Sequence, residues 1–483
     1  MPQKLKALIV AADSVTPDYI FKHRAQFPFF NQIIENGVFA EHAAYVQKGY
    51  AESYSSEQNW ATIYTGLTPD VHSITTNNVR GQRKRPEMGD FDGLRPFWQV
   101  LNDNGYSVGL WAADDCKSPT PINGYAVSVR YDMIETPVEN RAAPREVQLC
   151  AKDRFLSKFL NGSPPPRLYP QTLKQQGYTF EQLRHDADLA EKAIRKYHFQ
   201  DALPNFEAEL DYWFSAMRCV QRENAVDVLY LFTPTTDVIA HCCMYCDDNP
   251  TLIEAYKLLD KYISAFAREF QPENTLFLSD HGQQNFKDLI RCSDVSVQRE
   301  AFAARDEVLW LKNGYIAFEA YNGALLFTAH ALRGIFLAMG KNIRHTRIEN
   351  ARILDIYPTL LELFGCKIPD GRFGYVADIF NRPLVNVEKL MIDGNRKLVA
   401  IIQCHAINIM DIVINEVYLA DRFADITVVG DAKYMEIIIN NPRVTAFVSF
   451  ERFDISAYDD VYCSYYNAGS GKINHIQISE RLK

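Results

Sequence analysis

Nowhere in its 483 residues does this chain hold the ~20 uninterrupted apolar residues that span a bilayer. It has no internal repeat and no segment of low complexity. Ten cysteines are few for this length, and several lie inside apolar runs. That spacing reads as free thiols in a reducing cytoplasm rather than as a disulfide framework. Positive charge is not in excess either: 51 basic residues face 60 acidic ones, a formal net of −9. Such a balance argues against an enzyme held on a nucleic-acid polymer by charge, although a single nucleotide remains compatible with a metal site. The N-terminal apolar run extends only from Ala7 to Ala12 and stops at Asp13. It reads as a first strand rather than a signal peptide, so the expected location is cytoplasmic, with no membrane partner.

What is present is a composition of 47% hydrophobic and 23% charged residues, ordinary for a globular protein and unlike a disordered chain or a coiled coil. Short apolar runs alternate with amphipathic segments, the pattern of a mainly parallel sheet with helices on both faces. Leu5–Ala12, Ser107–Trp111, Val226–Phe232, Thr275–Ser279 and Gly334–Ala338 read as strands. Pro28–Asn36, Asn59–Thr65, Pro96–Asp103, Phe206–Arg222, Thr251–Phe270 and Leu354–Phe364 read as helices, with Thr16-Pro17 marking a further helix start. A catalytic domain is expected over 1–390, interrupted by an irregular, proline-rich insertion at about 137–178 that reads as a lid or a surface excursion. Residues 395–483 read as a small α/β appendage, with strands at Leu398–Gln403, Asp425–Val429 and Val444–Phe450 and no catalytic constellation.

The chemistry concentrates at strand ends. Asp13 closes the first strand, Asp237 and His241 follow the strand ending at Phe232, Asp280 and His281 follow Ser279, and His330 stands just before Gly334. Ligands of open α/β sheets bind outside the carboxyl ends of the strands, so most of these side chains converge on one edge. Three aspartates and three histidines are oxygen and nitrogen ligands suited to zinc, and secondarily manganese. They suffice for two ions, and two ions ~4 Å apart suit in-line phosphoryl transfer. The stretch Ser55-Ser56-Glu57-Gln58-Asn59-Trp60 supplies a serine at a helix start, where the helix dipole favours an ionised oxygen, although either serine also serves as a plain N-cap. Asn59 carries an amide able to meet a phosphoryl oxygen.

The order Asp13, then Ser-x-x-Asn-Trp-Ala-Thr-x-Tyr-Thr-Gly-Leu-x-Pro-x-x-His from Ser56 to His72, then Asp-x-x-x-His, Ser-Asp-His-Gly and a last His resembles the alkaline phosphatase superfamily. The likeness is greatest to its type I phosphodiesterase/nucleotide pyrophosphatase branch, over roughly 5–386. The resemblance implies an alkaline-phosphatase-like three-layer fold. It implies one ion on Asp237, His241 and His330, and a second on Asp13, Asp280, His281 and the nucleophile oxygen. It assigns the nucleophile to Ser56, three residues before Asn59, where the branch usually has threonine. Ala331 stands where glycine is common, which makes His345 the fallback for His330. The sulfatase signature is absent.

The expected function is a two-metal hydrolase of a small-molecule phosphodiester or phosphoanhydride, acting through a phosphoseryl intermediate. Alternatives are a phosphomonoesterase, phosphonate hydrolase or phosphotransferase of the same superfamily, or a metal-stabilised binding module without turnover. Trp60, with Tyr64 and Tyr125, is a candidate platform for a nucleobase, although aromatics at helical spacing also suit a core. Cys243 and Cys246 form a Cys-x-x-Cys without a second pair nearby and read as packing. The appendage is a candidate surface for homo-oligomer formation.

Overall fold

The computed structural model describes residues 4–44, 56–111, 122–128, 139–140, 179–286, 308–390 and 397–477, with short breaks inside these ranges. The insertion expected at about 137–178 lies almost wholly outside the described residues, as does Cys246.

The described strands of the main sheet are β1 (Ala7–Ala12), β2 (Val38–Ala43), β3 (Val108–Trp111), β4 (Gly124–Ser128), β5 (Glu139–Asn140), β6 (Val228–Thr233) and β7 (Asn274–Leu278). A short hairpin follows, β8 (Gly282–Asn285) with β9 (Thr328–Ala331), and then β10 (Arg333–Gly340) and β11 (Thr346–Arg352) complete the sheet. Its order is β11-β2-β10-β7-β1-β6-β3-β4-β5. All neighbours run parallel except at β10, which is antiparallel to both β2 and β7, and at the edge strand β5.

Strand β1 shows why the sheet is covered on both faces. Side chains alternate across a strand, and every residue of β1 is buried. Leu8, Val10 and Ala12 enter a core with helices α2 (Pro28–Asn36), α5 (Ala202–Glu223), α6 (Thr235–Cys243) and α7 (Pro250–Phe270). Ala7, Ile9 and Ala11 enter the opposite core with α3 (Ser56–Thr65), α4 (Phe97–Asp103) and α8 (Ile356–Leu363). The result is the three-layer alkaline-phosphatase-like arrangement. On α7, Leu252, Tyr256, Leu259, Ile263 and Phe266 recur at three- and four-residue intervals and build one buried stripe. Its start is capped by Asn249, whose side chain accepts from the Thr251 and Leu252 amides.

Element boundaries agree with the sequence pattern to within a few residues for the strands and helices that bury a full face. The expected helix start at Thr16 is present in α1 (Pro17–Lys22), but the threonine hydroxyl makes no cap bond. It instead accepts from the Gln283 amide and donates to the Ser14 carbonyl, tying α1 to β8.

Residues 397–477 build a separate sheet from β12 (Lys397–Ile402), β13 (Ala424–Gly430), β14 (Val444–Ser449), β15 (Asp460–Asn467) and β16 (Lys472–Gln477), ordered β14-β13-β12-β15-β16. Four strands are parallel and β16 is antiparallel. Its core of Val399, Ile401, Met410, Val413 and Ile426 packs on Ala43 at the end of β2 and on Leu332, two residues after His330. No helix among the described residues is long and apolar enough to cross a membrane.

Candidate functional site

The six expected ligands meet at the carboxyl edge of the parallel strands, for a different local reason in each case. Asp13 follows β1 directly, and Asp280–His281 follow β7 after Ser279. Asp237 and His241 lie one turn apart on α6, which starts just beyond β6. His330 arrives from the other direction. Because β10 is antiparallel, its first residue Arg333 lies past the end of β7, where Phe336 pairs with Leu278. The β9 strand just before it therefore delivers His330 to the same edge. Gly282 permits this crowding, since a Cβ there would stand 2.5 Å from the Arg333 carbonyl oxygen.

Two triads result, Asp237–His241–His330 and Asp13–Asp280–His281, and in each the candidate ligand atoms all lie within 4.8 Å of one another. The second triad is fully buried and the first is partly accessible. The His281 and His330 rings stack at 3.9 Å between centroids and join the two. His345, the fallback for His330, is exposed beyond the end of β10 and belongs to neither.

Hydrogen bonding reveals the protonation of the rings. His241 Nδ1 lies 2.9 Å from the Thr328 carbonyl, and His281 Nδ1 lies 3.1 Å from that of Gly282. A carbonyl only accepts, so both Nδ1 atoms carry a proton, and on a neutral ring Nε2 is then the bare nitrogen. Nε2 of His241 faces His330 Nε2 at 2.9 Å and Asp237 Oδ1 at 3.3 Å. That of His281 faces Asp280 Oδ2 at 3.1 Å, and this carboxylate oxygen is buried without a hydrogen-bond donor. Ring nitrogens and carboxylate oxygens packed this closely in a buried space share protons or hold a cation between them, and both triads fit a divalent ion.

Burial works against the His241 charge, but the Asp237 carboxylate outweighs it and raises that ring above its ordinary value. Burial, then repulsion from Asp280 and Asp237, holds the Asp13 carboxyl well above its ordinary range, and burial does the same to Asp280. Burial holds the His281 ring well below its ordinary value, with the His330 charge adding to this. Burial opposes the Asp237 charge, but His241 and His330 outweigh it and hold that carboxyl well below its usual range.

Ser56 opens α3, and its Oγ lies 3.1 Å from the bare His281 Nε2 and 3.3 Å from Asp13 Oδ1. Ser55 lies outside the described residues. Asn59, one turn along α3, is fully buried. Trp60 corrects the expectation of a base-stacking platform. Its side chain is 1% exposed, it packs on Tyr64 and Phe232, and its indole N–H donates to Asp13 Oδ2 at 3.3 Å. Both of its faces are taken by the core, and its polar edge supports a candidate ligand. Tyr64 and Tyr125 are likewise buried in the core. Cys242 and Cys243, the last residues of α6, pack into the core, where burial pushes the Cys242 thiol up to about 12.

Sequence reasoning overlooked Ser14 and Gln283. Ser14 Oγ donates to Asp237 Oδ1 at 2.6 Å and lies 3.0 Å from His281 Nδ1. Gln283 Nε2 donates to Asp237 Oδ1 at 2.6 Å, while its Oε1 accepts from Thr328. The available signal was a pair of polar residues, Gln283-Gln284, continuing a metal-ligand motif into a buried strand.

Among curated proteins none matches the sequence. Among solved structures, murine ectonucleotide pyrophosphatase/phosphodiesterase 5 superposes with a TM-score of 0.41 at 15% identity, over 76% of this chain and 96% of its own. A multiply substituted alkaline phosphatase PafA gives 0.47 at 13%, over 78% and 99%. Phosphonoacetate hydrolase from Sinorhizobium meliloti gives 0.43 at 16%, over 73% and 94%. The family model for type I phosphodiesterase/nucleotide pyrophosphatase matches residues 7–358, most of the chain. The chain therefore belongs to the type I phosphodiesterase/nucleotide pyrophosphatase family of phosphoester hydrolases.

Proposed function

We propose that the protein hydrolyses a small-molecule phosphodiester or phosphoanhydride at a pair of divalent ions, with Ser56 as nucleophile. The observation that carries this reading is the position of Ser56 Oγ, 3.1 Å from a bare imidazole nitrogen at the start of a helix and beside two joined triads. Asp237, His241 and His330 would hold one ion, and Asp13, Asp280 and His281, with Ser56, the other. Their mixed nitrogen and oxygen set suits zinc, with manganese second. When bound, such ions lower the pKa of an oxygen they contact and offset charge on a transferring phosphoryl group.

The chain's own residues supply the rest. The Ser56 oxygen attacks phosphorus in line and forms an O–P bond as the leaving-group oxygen departs. The phosphoseryl intermediate, which keeps the remaining ester group of a diester substrate, is then opened by water at the same phosphorus, which releases a phosphate monoester and returns a proton to the serine oxygen. Two inversions leave net retention at phosphorus. The α3 N-terminus and Asn59, one turn behind Ser56, are assigned to the non-bridging oxygens. Cys242 and Cys366 are buried thiols, in keeping with a reducing compartment such as the cytoplasm, and with it a dedicated metabolic phosphoester as substrate.

The test is hydrolysis of bis-p-nitrophenyl phosphate beside p-nitrophenyl phosphate, with zinc or manganese restored to chelated protein. Metal-dependent diester cleavage that disappears in Ser56→Ala is the expected result. Turnover persisting in Ser56→Ala defeats the nucleophile assignment, and preference for the monoester moves the protein towards the phosphatases of the superfamily.

A further inference from the structure

Ser14 has a backbone that its side chain must justify. Its φ is +61°, in the left-handed region that residues with a Cβ rarely enter, and it is completely buried. It follows Asp13 directly, so this backbone turn decides where both side chains point.

The Ser14 hydroxyl touches four polar atoms. Asp237 Oδ1 lies at 2.6 Å and Asp13 Oδ1 at 3.2 Å, while His281 Nδ1 lies at 3.0 Å and Gln283 Nε2 at 3.1 Å. A hydroxyl has one proton to donate and two lone pairs to receive. Both lone pairs are engaged, by the Nδ1–H of His281 and the amide N–H of Gln283. The proton must then go to a carboxylate, and the shorter distance selects Asp237. One oxygen thus grips a member of each triad: His281 of the buried one and Asp237 of the more accessible one. Gln283 braces the arrangement by donating to Asp237 as well, and is itself anchored by Thr328, whose carbonyl orients His241.

We infer that Ser14, braced by Gln283, is a positioning residue that couples the two triads, so that an ion held by one prepares the other. The inference rests on the two-ion reading. Its physical basis is that the hydroxyl shares the Nδ1 proton of His281 with the Gly282 carbonyl, and with the same atom restrains the Asp237 carboxylate. A shift of either ligand towards an ion is transmitted through a single oxygen. Loss of an outer hydrogen-bond partner to a metal ligand typically weakens metal affinity by ~10–100-fold.

The experiment is titration of the chelated full-length protein with Co²⁺, read by visible absorption and by the number of ions bound per chain. Wild type is expected to take up two ions with the second binding at least as tightly as the first. In Ser14→Ala, Ser14→Gly and Gln283→Leu, two ions are still bound but the steps separate, one of them weakened ~10–100-fold. Ser14→Gly relieves the left-handed backbone whereas Ser14→Ala keeps it, so an effect common to both belongs to the hydroxyl. Gln283→Leu leaves that backbone untouched and carries the test should either serine variant fail to fold. Variants that titrate like wild type overturn the coupling while the two-ion reading stands. Wild type binding fewer than two ions overturns both, and is seen before any variant is made.

Discussion

Gly334 on β10 lies directly opposite His42 on β2, and a Cβ at Gly334 would stand 2.5 Å from His42 Cε1. The imidazole crosses over the glycine, and its Nε2 donates to the Ser279 carbonyl at 2.7 Å. It thereby reaches across one whole strand to the end of β7, the residue just before Asp280 and His281. We expect Gly334→Ala to push the ring aside and destabilise the fold by ~1–3 kcal/mol, the range for overpacking a core. Urea unfolding would measure it, and an unchanged midpoint would show that the ring is not locked there.

His42 also gives stability a pH dependence. Burial lowers its pKa from the ordinary 6.5 to about 4. Between those values the unfolded chain binds the proton and the folded one does not, so stability is complete above about pH 6.5 and falls as pH drops towards 4. The full difference is about 3 kcal/mol. His42→Gln should flatten this slope relative to wild type in denaturant unfolding at pH 7 and pH 5, and parallel slopes would contradict the assignment.

Trp60→Phe keeps the aromatic packing against Tyr64 and Phe232 but deletes the N–H that holds Asp13 Oδ2. Stability should also fall, by roughly 1–3 kcal/mol, because the smaller ring leaves a cavity in the core. Affinity for one of two zinc ions should fall ~10-fold or more. Calorimetric titration of the chelated protein with zinc separates the two effects.

Removing metal should expose the cost of the buried carboxyls. Asp13 and Asp280 have folded pKa values raised well above the ordinary range, chiefly by burial. A raised carboxyl retains its proton in the folded state, so chelated protein should lose stability as pH rises through those values. Zinc should reverse the trend and displace the protons. Its binding enthalpy at constant pH should then vary with the ionisation enthalpy of the buffer, and no such dependence would mean that both carboxyls are already ionised.

Asp237 accepts from Ser14 and Gln283 and faces both His241 and His330. Asp237→Asn should reduce bound zinc from two ions per chain to one, counted by elemental analysis after gel filtration. Retention of two would remove Asp237 from the ligand set.

The strands and helices that bury a whole face, such as β1, α2 and α7, were legible because their apolar spacing is a local property. So were the candidate ligand types, since Asp-x-x-x-His spans one helical turn on α6 and Ser-Asp-His-Gly sits at a strand end. The β8–β9 pairing was not legible, because its strands are four residues each, largely polar, and more than forty residues apart. The place of Trp60, core or platform, was left open for a related reason: helical spacing does not say which face meets the sheet.

By itself, then, the sequence determined the chemistry on offer, the alternating architecture and the order in which the ligands arrive, since all three are carried by residue identity and short-range spacing. Only the tertiary structure decided that β10 runs against its neighbours, which makes His330 rather than His345 the third member of its triad. It alone placed Ser14, a residue with no motif of its own, between the two triads. Both outcomes depend on pairings between segments dozens to hundreds of residues apart, and no local pattern encodes the register in which such segments meet.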